Sequence, residues 1–220
     1  RVELHEEKAR FARGSVVEVL DPSPERVTPP CPHRIDGCGG CDWQHIHVEA
    51  QRRLRVEMVR GELRRALGTD EPVVAAGPVV SERGGRTTVR GTTDGQGRFS
   101  YRRRRSNDPI PVDSCLIAHP LVEEIIEAGD FGSAESVTIR VGAATGERMV
   151  VVDGDPAAVS VPEGVQVVGA EDLAAGKRAW IHEEVAGRRW RVSAGSFFQA
   201  GPVAAEALVD LVGQAVADHG

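Results

Sequence analysis

Apolar and polar positions alternate along this chain with periods that assign most of its elements. Over Val48–Leu67, Val56, Val59, Leu63 and Leu67 recur at three- and four-residue spacing while six Arg take the other faces. That is an amphipathic helix, and Gly68 supplies its stop. Residues 11–20 have strand composition and break at Asp21, Pro22, Ser23 and Pro24. From Arg86 onward the period shortens to two: Thr87, Thr88 and Val89, a turn at residues 94–97, then Arg98 to Tyr101, which reads as a hairpin. Pro120 opens a short helix with Leu121, Val122, Ile125 and Ile126 facing inward and Gly129 at its end. A second hairpin, Ser136–Val141 and Arg148–Asp153, turns at Thr145 and Gly146. Further short strands are predicted at residues 165–168, 179–185 and 189–193. Pro202 starts a last amphipathic helix bearing Leu208, Leu211, Val212 and Val216. The class is α+β, with short mixed or antiparallel strands and a few helices around a four-cysteine site.

Composition narrows this picture. The 220 residues, 40% apolar and 27% charged, suffice for one or two domains and exclude global disorder. The longest apolar run, residues 72–80, falls short of the ~18 a membrane helix needs, and no secretory signal is visible. The expected location is the cytoplasm, without a membrane partner and with no obligate protein partner evident. The first residue is Arg1, which leads to the expectation of a fragment. Net charge is −6, yet residues 83–105 hold eight Arg against Asp94 alone, a local +7 on a body of −13. A concentrated basic stripe is an electrostatic footprint for a polyanion, with a solvated hairpin face as the plain alternative. Trp180 and Trp190 are expected in the core and Trp43 in packing beside Cys41.

Cys31, Cys38 and Cys41 lie within eleven residues, separated by six and two positions, and Cys115 stands far along the chain. Glycines at 37, 39 and 40 let the backbone wrap closely around something small. Four thiolates satisfy a tetrahedral zinc ion or an iron–sulfur cluster; a disulfide fits poorly without a secretory signal. A three-plus-one arrangement is common for clusters, but spacing alone leaves zinc open. His33, His45 or His47 could replace one ligand.

Three stretches occur in order: Cys31-Pro32-His33 through Gly37-Cys38-Gly39-Gly40-Cys41-Asp42-Trp43-Gln44-His45, then Pro111-Val112-Asp113-Ser114-Cys115 with His119-Pro120, then Ser196-Phe197-Phe198-Gln199 before a helix. Together they resemble the S-adenosylmethionine-dependent RNA uridine-C5 methyltransferases, makers of 5-methyluridine in 23S rRNA and tRNA. The resemblance implies an N-terminal TRAM barrel that binds RNA, a central domain with a [4Fe–4S] cluster, and a Rossmann-like methyltransferase domain. By this resemblance Cys31, Cys38, Cys41 and Cys115 would be the cluster ligands. Gln199 would contact S-adenosylmethionine and Phe197 the flipped target uracil. Arg98, Tyr101 and the run Arg102, Arg103, Arg104, Arg105, with Phe99, would offer RNA a stacking and phosphate surface. Here the first cysteine gap is six residues where many members have five.

The expected layout is residues 1–24 as the end of the TRAM barrel, residues 25–195 as the iron–sulfur and RNA-binding domain, and residues 196–220 as the start of the methyltransferase domain. Methylating uracil C5 calls for a thiolate to add at C6 and a base to remove the C5 proton. With four thiols assigned to the cluster, no catalytic residue is expected in this chain. The Rossmann-like domain is expected to be missing, and the isolated chain to be inactive. RNA is the expected partner, 23S rRNA ahead of tRNA. The alternative is a zinc- or cluster-stapled RNA-binding module without catalysis.

Overall fold

The computed structural model describes residues 1–80 and 83–219; Ser81, Glu82 and Gly220, which closes the predicted segment 196–220, lie outside the described residues. The chain divides into two compact units, Arg1–Pro30 with Asp42–Ala76, and Cys31–Cys41 with Gly77–Gly220.

The first unit carries an antiparallel pair, β1 (Val2–Lys8) and β2 (Phe11–Val16), in register from Val2 opposite Val16 to Lys8 opposite Phe11, with an irregularity between Leu4 and Glu6. Lys8 and Arg13 each hold their cationic group 5.3 Å from the Phe11 ring. Helix α1 occupies Val48–Leu67, as its spacing predicts. The Gln51 side-chain amide donates to the carbonyls of Trp43 and Ile46, fixing the approach to α1. Trp43 itself lies under the Arg55 guanidinium, 5.8 Å from its centroid. Of α1 only Ala50 is buried, and Val59 and Leu67 of the predicted apolar face are exposed.

The second unit is built on β3 (Thr88–Thr93), β4 (Phe99–Arg102), β5 (Pro109–Pro111), β6 (Ser136–Val141), β7 (Arg148–Asp153) and β8 (Val165–Gly169). These six form one sheet in the order β5-β4-β3-β6-β7-β8. All neighbours are antiparallel except β7 and β8, which run parallel. The two prolines of β5 are tolerated because β5 is an edge.

Alternation along β7 sends its side chains to both faces. Val150 and Val152 join the main core with Val137 and Ile139, under Val122, Ile125 and Ile126 of α2 (Pro120–Ala128) and beside Phe99 and Phe131. Met149 points the other way, into a second cluster with Val168, Ile181 and Val192. The last two belong to the hairpin β9 (Trp180–Val185) and β10 (Arg188–Ser193), which covers that face. A short α3 (Ala170–Ala174) follows β8, and α4 (Pro202–His219) ends the described chain.

The expected architecture therefore needs correction. The strands do not gather around the cysteines but form a continuous mixed sheet with a core on each face, and the cysteine loop sits off that sheet's β4 end. Local periodicity finds each hairpin, but it cannot tell which edges of separate hairpins will join. Trp180 and Trp190 are also corrected: they are 41% and 44% exposed, not core.

Candidate nucleic-acid interface and cysteine site

Residues 31–41 form a loop that begins with a single 3-10 turn, Pro32–Arg34. It docks on the chain leaving β4. The Gly39 N–H donates to the Arg102 carbonyl (3.1 Å), the Arg104 N–H donates to the Gly37 carbonyl (2.9 Å), and Cys38 and Arg103 form an antiparallel bridge. The Arg103 guanidinium adds a hydrogen bond to the Asp36 carbonyl at 2.9 Å. Glycine is required at 37: its φ is +96°, and a Cβ there would lie 2.6 Å from the Arg103 guanidinium. Sequence reasoning placed the cysteine loop and the arginine run in one domain; it did not show that they share a backbone ladder.

Cys38 lies within electrostatic reach of the other three thiols. Burial pushes the Cys38 thiol up, opposed by the Gly40 N–H that donates to its sulfur (3.5 Å), and negative charge on Cys115, Cys31 and Cys41 pushes it further the same way. Tyr101 closes one side: its hydroxyl donates to the Cys115 sulfur at 3.6 Å, and burial, followed by Cys115, drives its phenol far above the usual range. The Cys115 N–H donates to Glu123 on α2 at 3.0 Å. Among the described residues, no group of three or more His, Cys, Asp or Glu stands close enough to hold a metal ion, so the expected metal site is not a closed ligand shell here. In donor chemistry the residues fit a cluster: four thiols, none in a disulfide, a backbone N–H on one sulfur, and glycine in the chain around them.

The predicted RNA residues divide. Phe99 is buried and cannot stack on a base. Tyr101 packs edge-on against Phe99, centroids 5.1 Å apart, with its hydroxyl committed to Cys115. Arg98 binds Asp94 at 2.7 Å, and Arg102 donates to the carbonyl and side chain of Asn107. For Asp94 burial alone would raise the pKa, but the N–H groups of Gln96 and Arg98 and the Arg98 guanidinium outweigh it and hold the carboxyl low. Arg105 is exposed, with φ +59°. Arg98, Arg103 and His33 share a crevice of about 600 Å³ with Asp36 and Asp113, where a phosphate or a polar base edge could be met by several donors at once.

In the Ser196-Phe197-Phe198-Gln199 stretch the two rings part. Phe198 packs on the second core cluster, whereas Phe197 is 84% exposed and Gln199 is also exposed. Arg140 braces this turn from inside. It is buried on β6, and its guanidinium donates to the carbonyls of Ser193 (3.0 Å) and Ser196 (2.6 Å). Nothing in the local pattern of β6 announced that role, because an Arg in an alternating strand reads as solvated.

Comparison with known proteins decides the kinship. A protein of Streptomyces avermitilis named as an uncharacterized RNA methyltransferase is 38% identical over 236 aligned positions, covering 97% of this chain and 54% of that protein. A 23S rRNA (uracil(1939)-C(5))-methyltransferase of Chromohalobacter salexigens is 38% identical over 129 positions, 57% of this chain and 27% of its own length. The chain is a relative of the RNA uracil-C5 methyltransferases. It spans about half the length of the first of these relatives. No protein-family profile matches it. In fold it resembles the Pyrococcus abyssi tRNA (uracil-54, C5)-methyltransferase, solved with S-adenosyl-L-homocysteine, with a TM-score of 0.61 at 20% identity over 97% of this chain and 56% of that one. This overturns the expectation that the methyltransferase-type domain is missing: the architecture of a methyltransferase extends over nearly the whole chain.

Proposed function

We propose that this chain belongs to an enzyme that moves a methyl group from S-adenosylmethionine to C5 of a uridine in RNA, 23S rRNA ahead of tRNA. Its own share is to hold a [4Fe–4S] cluster and present the RNA-facing surface beside it. The observation that carries this reading is the ladder between the cysteine loop and residues 102–104, which ties Cys31, Cys38 and Cys41 to a basic run, with Cys115 within electrostatic reach of Cys38. Cys31, Cys38, Cys41 and Cys115 would hold the cluster, which when bound supplies iron–thiolate links between the loop and the start of α2.

The other residues act on RNA and on the methyl donor. Arg103 and Arg105 neutralise phosphates, and the exposed Phe197 meets the target base once it leaves the stack. Gln199, three residues beyond the 193–196 turn that Arg140 braces, contacts the methyl donor. With the four thiols engaged, the thiolate that adds to C6 comes from outside these 220 residues, as does the base that takes the C5 proton, and the chain by itself transfers no methyl group. In this reading residues 1–24 belong to the TRAM barrel and residues 25–195 carry the cluster and the RNA surface within the methyltransferase architecture, which residues 196–220 continue. Four cysteines, none in a disulfide, suit a reducing compartment, the cytoplasm.

The test is iron, zinc and acid-labile sulfide on anaerobically purified protein. About four iron and four sulfide per chain, with a broad band near ~400 nm, is the expected result, and Cys115→Ser should lose both the colour and the folded state. One zinc in a colourless protein would replace this reading with a zinc-stapled RNA-binding module without catalysis. A stable, folded, metal-free Cys115→Ser variant would remove the structural role of the site.

A further inference from the structure

The hairpin β9–β10 carries a surface that nothing above uses. Every residue of the run Arg188, Arg189, Trp190 and Arg191 is exposed, and β10 is an edge strand of its two-stranded sheet. In the register, His182 lies opposite Arg191, Glu184 opposite Arg189 and Trp180 opposite Ser193, so these six share one face. On that face the Arg191 guanidinium sits 5.4 Å from the ring centroid of Trp180, and the ring remains 41% exposed. A core tryptophan would be covered, and a merely solvated strand would not place an indole among arginines.

The face is also held rigid. Glu183, buried at 2% exposure, turns its carboxylate onto the N–H groups of Ala143 (2.8 Å) and Ala144 (3.1 Å) in the β6–β7 turn. From that same hairpin Glu147 reaches back, accepting from the His182 N–H at 2.9 Å and from Arg189 at 2.8 Å. Two carboxylates, one pointing each way, fasten β9 to the sheet. A platform fixed in advance loses little conformational freedom when a ligand lands on it.

We infer that Trp180 and Arg191 form a second RNA contact, a stacking platform for an unpaired nucleobase with Arg191 also taking a flanking phosphate. The ligand chemistry follows from the residues: an indole offers a π-face to any base, a guanidinium beside it supplies positive charge and a second stacking plane, and a basic strand matches a polyanionic backbone. The inference rests on the reading of this protein as RNA-binding and adds a place where single-stranded RNA is held apart from the cysteine loop.

The experiment is fluorescence anisotropy with a labelled oligouridine of roughly 12 nucleotides, comparing the 220-residue chain with its Trp180→Ala, Trp180→Phe and Arg191→Gln variants. Loss of about fivefold or more in affinity is expected for Trp180→Ala, as for removal of one base-stacking ring. Trp180→Phe should restore most of it, and Arg191→Gln should weaken binding and flatten its salt dependence. Far-UV circular dichroism confirms that each variant is folded; Trp180→Phe keeps the test valid if the alanine variant is not. If the unaltered chain binds and all three variants bind equally well, the platform is wrong and the RNA reading survives. If the unaltered chain binds no RNA, the RNA reading itself fails and the platform with it. Equal competition by a fully paired duplex would overturn stacking, since paired bases offer no free face.

Discussion

At the scale of single residues, carboxylates set most of the local order in the second unit. Glu147 is the clearest case. Burial would raise its pKa, but the backbone N–H and ring of His182 and the guanidinium of Arg189 outweigh that and hold it below the usual carboxylate range. A carboxyl with a lower pKa in the folded state than in the unfolded one stabilises the fold above its unfolded value, and this contribution disappears as the pH falls through the folded value. Thermal unfolding followed from neutral to about pH 3 should therefore show an acid-side decline. Glu147→Gln should make that decline shallower, and an unchanged acid limb in the variant would show that the Glu147 cluster contributes nothing. Asp94 and Asp172 have the same sign of shift, so part of the decline should survive.

Among the elements, the β3–β4 turn is the one most tightly constrained by a distant neighbour. Gly97 has φ +84°, a Cβ there would meet the Asp130 carboxylate at 2.0 Å, and its carbonyl accepts from the Phe131 N–H at 2.8 Å. Gly97→Ala therefore forces either a strained backbone or a shift of the chain after α2, at about 1–3 kcal/mol. Its melting temperature should fall by several degrees, and a variant that melts with the parent would refute the constraint. The hairpins and helices themselves were legible in the sequence, since alternation along 136–153 and the apolar positions 122, 125 and 126 are local signals that burial then obeys. The joining of β3 to β6 was not, because no local pattern specifies a partner more than forty residues away. Trp180 and Trp190 misled for a related reason: size and aromaticity argue for the core, and only their placement on a separate two-stranded hairpin, Trp180 on β9 and Trp190 on β10, decides otherwise. At the candidate site, the cysteine spacing and the aromatic pair at 197–198 are plain in the sequence, whereas the exposure of Phe197 beside a packed Phe198 and the Arg140 beneath the 193–196 turn are not.

For the molecule as a whole, the uneven charge predicts how RNA binding responds to salt. Each phosphate neutralised on a single strand contributes about −0.7 to the slope of log affinity against log salt. Arg105→Gln, at an exposed position of the basic run, should reduce the magnitude of the slope by about that amount, measured by titrating labelled RNA at several ionic strengths. An identical slope would take Arg105 out of the interface. Among the described residues no helix is long and apolar enough to cross a membrane. The separation of Cys115 from the other three cysteines has a further consequence, one of timing. The ribosome releases the chain from its N-terminus at about 5–20 residues per second, so Cys31, Cys38 and Cys41 emerge well before Cys115. For those seconds three thiols are displayed without their fourth partner or the Tyr101 hydroxyl that caps it. On the proposed reading, loading of the site would wait until Cys115 has been made, and an oxidant would find its easiest target on the nascent chain.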